Sequence, residues 1–166
     1  VKLESRKKVK KLIKPLQALE NHGTSRHWIK TIPDGFDELW KEFSKAFACV
    51  VERSNSYMNH RYVNAPYQDY HLLEINDYTS KLVGFSVIRF QHTIHGECAR
   101  IVDYVARPGA ETLVWRHILH ACMEKDCLYA DFMVIGTKQD WSLQKTGFKL
   151  ATDINGLEDI PNLLCP

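Results

Sequence analysis

The residues that could do chemistry sit in a few short stretches. In Ala99–Val105 strand alternation puts Ile101, Asp103 and Val105 on one face, so a carboxylate points among apolar neighbours. Such a carboxylate is either a candidate general base or half of an ion pair, with Arg100 or Arg107 as its nearest cations in sequence. Arg61, Tyr62, Tyr67 and Tyr70 crowd a segment broken by Pro66. Loop-borne tyrosines and arginine could line a pocket for sugars or carboxylated amines. They could equally pack the loop against a sheet, with Arg61 paired to Asp69. Arg107-Pro108-Gly109-Ala110 reads as a strand-to-helix turn, the place where a helix N-terminus can meet a phosphate. Pro108 has no N–H to give, and Glu111 adds an anion there. His92, His95 and Cys98 suggest zinc, but strand alternation sends the two histidines to opposite faces and no fourth ligand lies nearby. His117 and His120 share a helix side without the glutamate of a His-Glu-x-x-His site and read as packing or surface residues. The sequence therefore argues against a metal.

Elements must position these groups. Phe36, Leu39, Trp40, Phe43, Ala46, Phe47, Val50 and Val51 predict a helix with one core stripe, Asp34 its N-cap and Asp37 in its first turn. A short strand is predicted over His27–Ile32, before it. Tyr70–Ile75, Leu82–Gln91 and Ala99–Val105 read as strands joined by hairpins. A helix over Ala110–Lys125 turns Leu113, Val114, His117, Ile118, Ala121 and Cys122 inward. Leu128–Ile135 is apolar enough to be buried on both faces. Lys138–Lys145 is a short helix stopped by Gly147, and Phe148–Ala151 is a last strand. These elements predict an α/β domain: a mixed, mostly antiparallel central sheet with helices on both faces.

Bulk properties narrow the class. The 166 residues, 45% hydrophobic and 25% charged with net charge +2, suit one globular domain. Residues 26–166 form it, and residues 1–25 read as a linker or N-terminal helix kinked at Pro15. Arg6, Lys7, Lys8, Lys10, Lys11 and Lys14 make that segment basic. No aromatic side chains interleave with them to stack on bases, which argues against nucleic acid. No apolar run reaches the roughly 20 residues of a membrane span. The five cysteines, odd in number and without paired spacing, suit reduced thiols in the cytoplasm. The start at Val1 reads as a cut from a longer polypeptide.

Trp141–Lys149, with its Lys145-Thr146-Gly147-Phe148 turn, resembles the end of the short helix in the acyl-CoA N-acyltransferase (GNAT) fold. Lys81–Val87 resembles that fold's strand with a Val-Gly pair. Arg61-Tyr62 followed by Pro66-Tyr67 and Tyr70 is similar to a bacterial subgroup tied to polysaccharide and cell-envelope metabolism, some of whose members carry two such lobes in tandem. The resemblance spans roughly Phe36–Leu150.

It implies acetyl-CoA or another acyl-CoA as cofactor, held at Val105, Arg107, Gly109, Ala110 and Thr112. It also implies Asp103 as base, and a small amine or amino-sugar acceptor at Arg61, Tyr62, Tyr67 and Tyr70. An N-terminal acyltransferase-like lobe of the same chain would be a further partner. Two departures stand out: the turn has one glycine where the family has two small residues, and Leu143 stands where many members carry an acidic tyrosine. The alternative is a non-catalytic lobe that binds a ligand or packs against a partner lobe. A weaker third reading, aminoacyl transfer in envelope peptide synthesis, would set the basic segment against tRNA.

Overall fold

Strand pairing organises the structure. The computed structural model describes residues 23–94, 96–133 and 140–149. Within them β1 (Ser25–Ile29), β2 (His71–Asn76), β3 (Leu82–Thr93), β4 (Gly96–Ala106) and β5 (Tyr129–Phe132) form one sheet in chain order. β1 to β4 are antiparallel, and β5 pairs parallel to β4 over Cys98–Ile101. The helices are α1 (Phe36–Ser44), α2 (Asn55–Met58) with a π-helical turn over Asn59–Val63, α3 (Glu111–Glu124) and α4 (Asp140–Lys145).

Adjacent strand residues point to opposite faces, so two neighbours on β3 locate the helices. Phe85 meets Phe36 of α1 edge-on at 5.0 Å. Gly84 faces Val114 of α3. The sheet is therefore mixed, mostly antiparallel and covered on both faces, as the sequence predicts.

The hydrophobic stripe of α1 is shorter than expected. Phe36, Leu39, Trp40 and Phe43 are buried, but the helix ends at Ser44, and Val50 and Val51 are 37% and 64% exposed. Its N-cap is Gly35 (φ 81°), not Asp34, and no side chain caps it. Asp37 instead accepts a hydrogen bond from Asn55 N at 2.7 Å, tying α1 to the start of α2. β5 is half-buried rather than buried on both faces. Trp115, absent from the predicted core face of α3, is fully buried. The N-terminal basic run, His95 and the tail lie outside the described residues, as do Val134, Ile135 and the later residues of the predicted last strand.

One irregularity changes the site. Val87 pairs with Asp103, but Ile88 pairs with Ile101, so Val102 is an extra residue in β4. Such a bulge reverses the alternation beyond it. Ile101 shares the α3 face with Ile88, whereas Asp103 and Val105 share the α1 face with Val87 and Phe85. The expected common face for Ile101, Asp103 and Val105 is corrected accordingly.

α4 ends as its sequence predicts. Phe148 N donates to Leu143 O at 3.1 Å and Gly147 N to Gln144 O at 3.0 Å, with Gly147 at φ 93°. This is the Schellman closure, which needs a left-handed residue at that position. Gly147→Ala is expected to cost about 1 kcal/mol, read as a lower urea midpoint at unchanged slope.

Candidate functional site

Asp103 is 4% exposed and its carboxylate is saturated. Arg53 Nε donates to both oxygens at 2.9 Å. Tyr104 N donates to Oδ1 at 2.9 Å and the Tyr62 hydroxyl to Oδ2 at 3.0 Å. Each oxygen thus accepts two hydrogen bonds, the capacity of a carboxylate. The partner cation is Arg53, not the expected Arg100 or Arg107. Arg100 is across the sheet from Asp131, at 2.9 Å, and Arg107 turns to α1. The Arg53 guanidinium lies 5.0 Å from the centre of the Trp40 ring.

Tyr62 reaches Asp103 from the π-helical turn. Ser54 starts α2 by accepting from Tyr57 N at 3.2 Å. The wider turn closes with Asn64 N donating to Asn59 O at 2.9 Å. Extra residues of this kind re-aim side chains, and here Met58 and Tyr62 both point inward. Arg61 Nε donates to the Tyr62 hydroxyl at 3.2 Å, so Arg61 pairs with Tyr62 and not with Asp69. Burial and the neighbouring Asp103 charge hold the Tyr62 phenol far above its usual range. Tyr70 meets Tyr62 edge-on at 5.1 Å. Tyr67 is 90% exposed and is not among the residues that line the cleft beside Tyr62.

Beside Tyr62 opens a cleft of about 410 Å³, lined among others by Trp28, Lys30, Tyr62, Asp69, Tyr70 and His71. Leu72, also in its wall, pairs with Val87, which pairs with Asp103. The cleft and Asp103 therefore share one strand row, two strands or roughly 10 Å apart. His71 Nε2 lies 3.4 Å from Asp69 Oδ2 and touches Trp28 and Phe90 edge-on. Arg53, Trp28, Lys30 and His71 were not legible as site residues. Arg53 lies 50 positions from its partner, and no local spacing marks it.

At the C-terminal end of β4 the chain turns through Arg107–Ala110. Ala110 N donates to Arg107 O at 2.9 Å, with Gly109 at φ 88°. Pro at the second and Gly at the third position make this a type II turn. Arg107 is anchored rather than free. It donates from Nε to Leu82 O at 2.8 Å and meets Glu42 and Glu38 of α1. The Arg107 hydrogen bond holds the Glu42 carboxyl below its usual range. α3 starts at Glu111 without a side-chain cap, and a Cβ on Gly109 would meet open space. Val105 is buried beneath α1, and Ala110 and Thr112 are half-buried at the turn.

No metal-ligating cluster of three or more such side chains occurs among the described residues. His92 bonds Glu97 at 2.8 Å, and buried His117 meets the Thr24 hydroxyl at 3.0 Å. Among the described residues no helix is long and apolar enough to cross a membrane.

The structure is similar to glucosamine-6-phosphate N-acetyltransferase from Arabidopsis thaliana, with TM-score 0.52 and 13% identity over 76% of this chain and 91% of that one. It is also similar to an aminoglycoside acetyltransferase from an uncultured soil metagenomic sample (TM-score 0.51, 11% identity, 76% and 86% covered). An aminoglycoside 6'-N-acetyltransferase from Acinetobacter baumannii aligns at TM-score 0.50 and 10% identity, over 76% and 91%. At such identities the likeness is one of fold. No family model and no curated protein matches the sequence.

Proposed function

We propose, on the premise that this chain has the acyl-CoA N-acyltransferase fold, that it transfers an acyl group from an acyl-CoA to the amine of a small, sugar-like acceptor. The layout of β4 carries this reading. Its bulge turns Asp103 toward Tyr62 in the row that leads to the cleft. Three residues past Asp103 the strand ends at Ala106, ahead of the uncapped start of α3. That is roughly 10 Å of strand.

The turn fits a diphosphate through its main chain. The first N–H groups of a helix have no partner within it, and here no side chain takes them. Arg107 fixes the turn to α1, Gly109 leaves it open, and Ala110 and Thr112 begin the helix, while Val105 is fully buried beneath α1. An acyl-CoA supplies an activated thioester. In transfer the acceptor nitrogen bonds the thioester carbon, the carbon–sulfur bond breaks with its electrons passing to sulfur, and the amine must lose a proton. Tyr62 stands between cleft and carboxylate, so it accepts that proton while passing its own to Asp103 Oδ2. Trp28 and Tyr70 offer flat faces for a sugar ring, and Asp69 a charge for an ammonium. The amino-sugar and aminoglycoside acetyltransferases among the structural neighbours support this acceptor class. Burial raises the thiols of Cys122 and Cys127, the latter to about 12, so both stay protonated and unreactive.

A second reading, a non-catalytic lobe packed against an N-terminal lobe of the same chain, draws on the saturated Asp103 carboxylate and on Arg107 being engaged with α1. Calorimetric titration with acetyl-CoA separates the two. The chain is expected to bind in the micromolar range, Gly109→Glu to abolish the heat, and Glu111→Gln to tighten binding about two- to fivefold by removing an anion from the helix start. No heat up to millimolar acetyl-CoA leaves the non-catalytic reading standing.

A further inference from the structure

The cleft beside Tyr62 does not end at Trp28. On the other side of that ring lies a second cleft of about 370 Å³, walled by Thr24, Ser25, Arg26, Trp28, Leu73 and Glu124. Trp28 borders both clefts and is 40% exposed. Edge-on contacts with His71 and Phe90, each at 5.9 Å, hold its indole in place. Arg26 and Trp28 share a face of β1. Trp28 pairs with Leu73 and Leu73 with Ser86, which puts that face on the α3 side. The first cleft takes Leu72 from the α1 side and Trp28 from the α3 side, so it rounds the end of the sheet and leads into the second. From Lys30 in the first to Arg26 in the second is about 13 Å of extended chain, longer than one pyranose ring.

The charges of the second cleft cancel. Arg26 Nη2 donates to Glu124 Oε1 at 2.6 Å and also to His120 Nδ1. A guanidinium can only donate, so that ring nitrogen keeps its lone pair and His120 is neutral in this contact. The Arg26 side chain is 13% exposed, which sets a fixed donor beside a fixed acceptor. An anionic ligand meets Glu124 there, and a cationic one meets Arg26. Neighbouring hydroxyls suit both, because each can donate to the carboxylate and accept from the guanidinium. The C–H face of a sugar ring suits the exposed indole.

We propose that this second cleft is a subsite for a neutral, hydroxyl-rich ring, so that the acceptor is an oligosaccharide. Its amine-bearing unit lies beside Tyr62, and its next unit lies on the far side of Trp28. The proposal rests on the sugar-like acceptor of the reading above and deepens it. Trp28 is the platform between the two units. Arg26 and Glu124 lie on the sheet face opposite Asp103, so they select the acceptor and take no part in moving its proton.

Calorimetric titration, with and without CoA, uses glucosamine and two disaccharides that join it to glucose by a β-1,4 or an α-1,4 bond. At least one disaccharide is expected to bind roughly tenfold more tightly than glucosamine. Glu124→Ala should bring that disaccharide to within about twofold of glucosamine and leave glucosamine itself unchanged. The Glu124 side chain is 51% exposed and Arg26 keeps His120, so this variant retains its fold, as an unchanged melting temperature would check. Trp28→Leu should weaken both sugars, the disaccharide more. No gain for either disaccharide over glucosamine, or a gain that Glu124→Ala leaves intact, overturns the subsite and leaves the amino-sugar reading standing. Binding of none of the three sugars overturns both. A disaccharide gain abolished by Glu124→Ala, in a chain that releases no thiol from acetyl-CoA, upholds the subsite and overturns the acyl transfer alone.

Discussion

Asp103→Asn is expected to lower kcat/KM for acetyl transfer to an amino-sugar acceptor by about 10²- to 10⁴-fold, the usual worth of a positioned proton acceptor. Asparagine keeps the shape but cannot receive the proton that Tyr62 hands on. The substitution also removes the anion facing Arg53. Asp103 is nearly buried and the Arg53 side chain is 23% exposed, so the stability loss should be about 1–3 kcal/mol, below that of a fully buried pair. Two further variants keep the roles apart. Arg53→Met should lose stability with much less effect on turnover, because it leaves carboxylate and phenol in place. Tyr62→Phe should lose turnover with little change in acetyl-CoA affinity, because it cuts the link between cleft and carboxylate. A thiol-release assay beside urea unfolding reads both quantities. Turnover of Asp103→Asn within threefold of the unaltered chain would remove Asp103 from the proton path.

The expectations that held depend on local chemistry. Gly147 stops α4 because two hydrogen bonds demand a left-handed residue there, and the Gly-Phe pair announces it. The α1 stripe announces itself by spacing, and Phe36, Leu39, Trp40 and Phe43 are buried. The β2–β3 and β3–β4 pairings follow from short hairpins. The expectations that failed depend on events far away in the chain. Strict alternation set Ile101 and Asp103 on one face, and the extra Val102 reversed it. Nothing in the residues of β4 marks that bulge, because it is settled by register with β3. Arg53 was invisible for the same reason: an ion pair across 50 positions leaves no spacing to read. Arg61 did turn toward a partner, but the π-helical turn carried it to Tyr62 instead of Asp69. The tyrosine cluster was thus legible as a composition and not as a geometry. Tyr62 and Tyr70 reached the cleft, and Tyr67 stayed in solvent.

Gly84→Ala should be the most damaging single-methyl change in the sheet. A Cβ at this position would lie 2.8 Å from Val114 Cγ1 and closer still to Cγ2. Val114 is fully buried, and its β-branched side chain in a helix has one strongly preferred rotamer, so it cannot turn away cheaply. The alternative is to lift α3 off the sheet, and α3 also carries Trp115 and the turn at Arg107–Ala110. Overpacking of this kind costs about 1–3 kcal/mol, or roughly 3–10 °C in melting temperature for a domain of this size. The shift should reach the phosphate end, so acetyl-CoA affinity should fall along with stability even though Gly84 touches no proposed ligand atom. Val114→Ala alone also destabilises, by leaving a cavity. Combined with Gly84→Ala it makes room for the new methyl, so the pair should be more stable than the sum of the two losses by about 1 kcal/mol or more, with acetyl-CoA affinity restored. Additive losses in that cycle would mean that α3 does not rest on Gly84, and the link from the Val83-Gly84 strand to the cofactor turn would be lost with it.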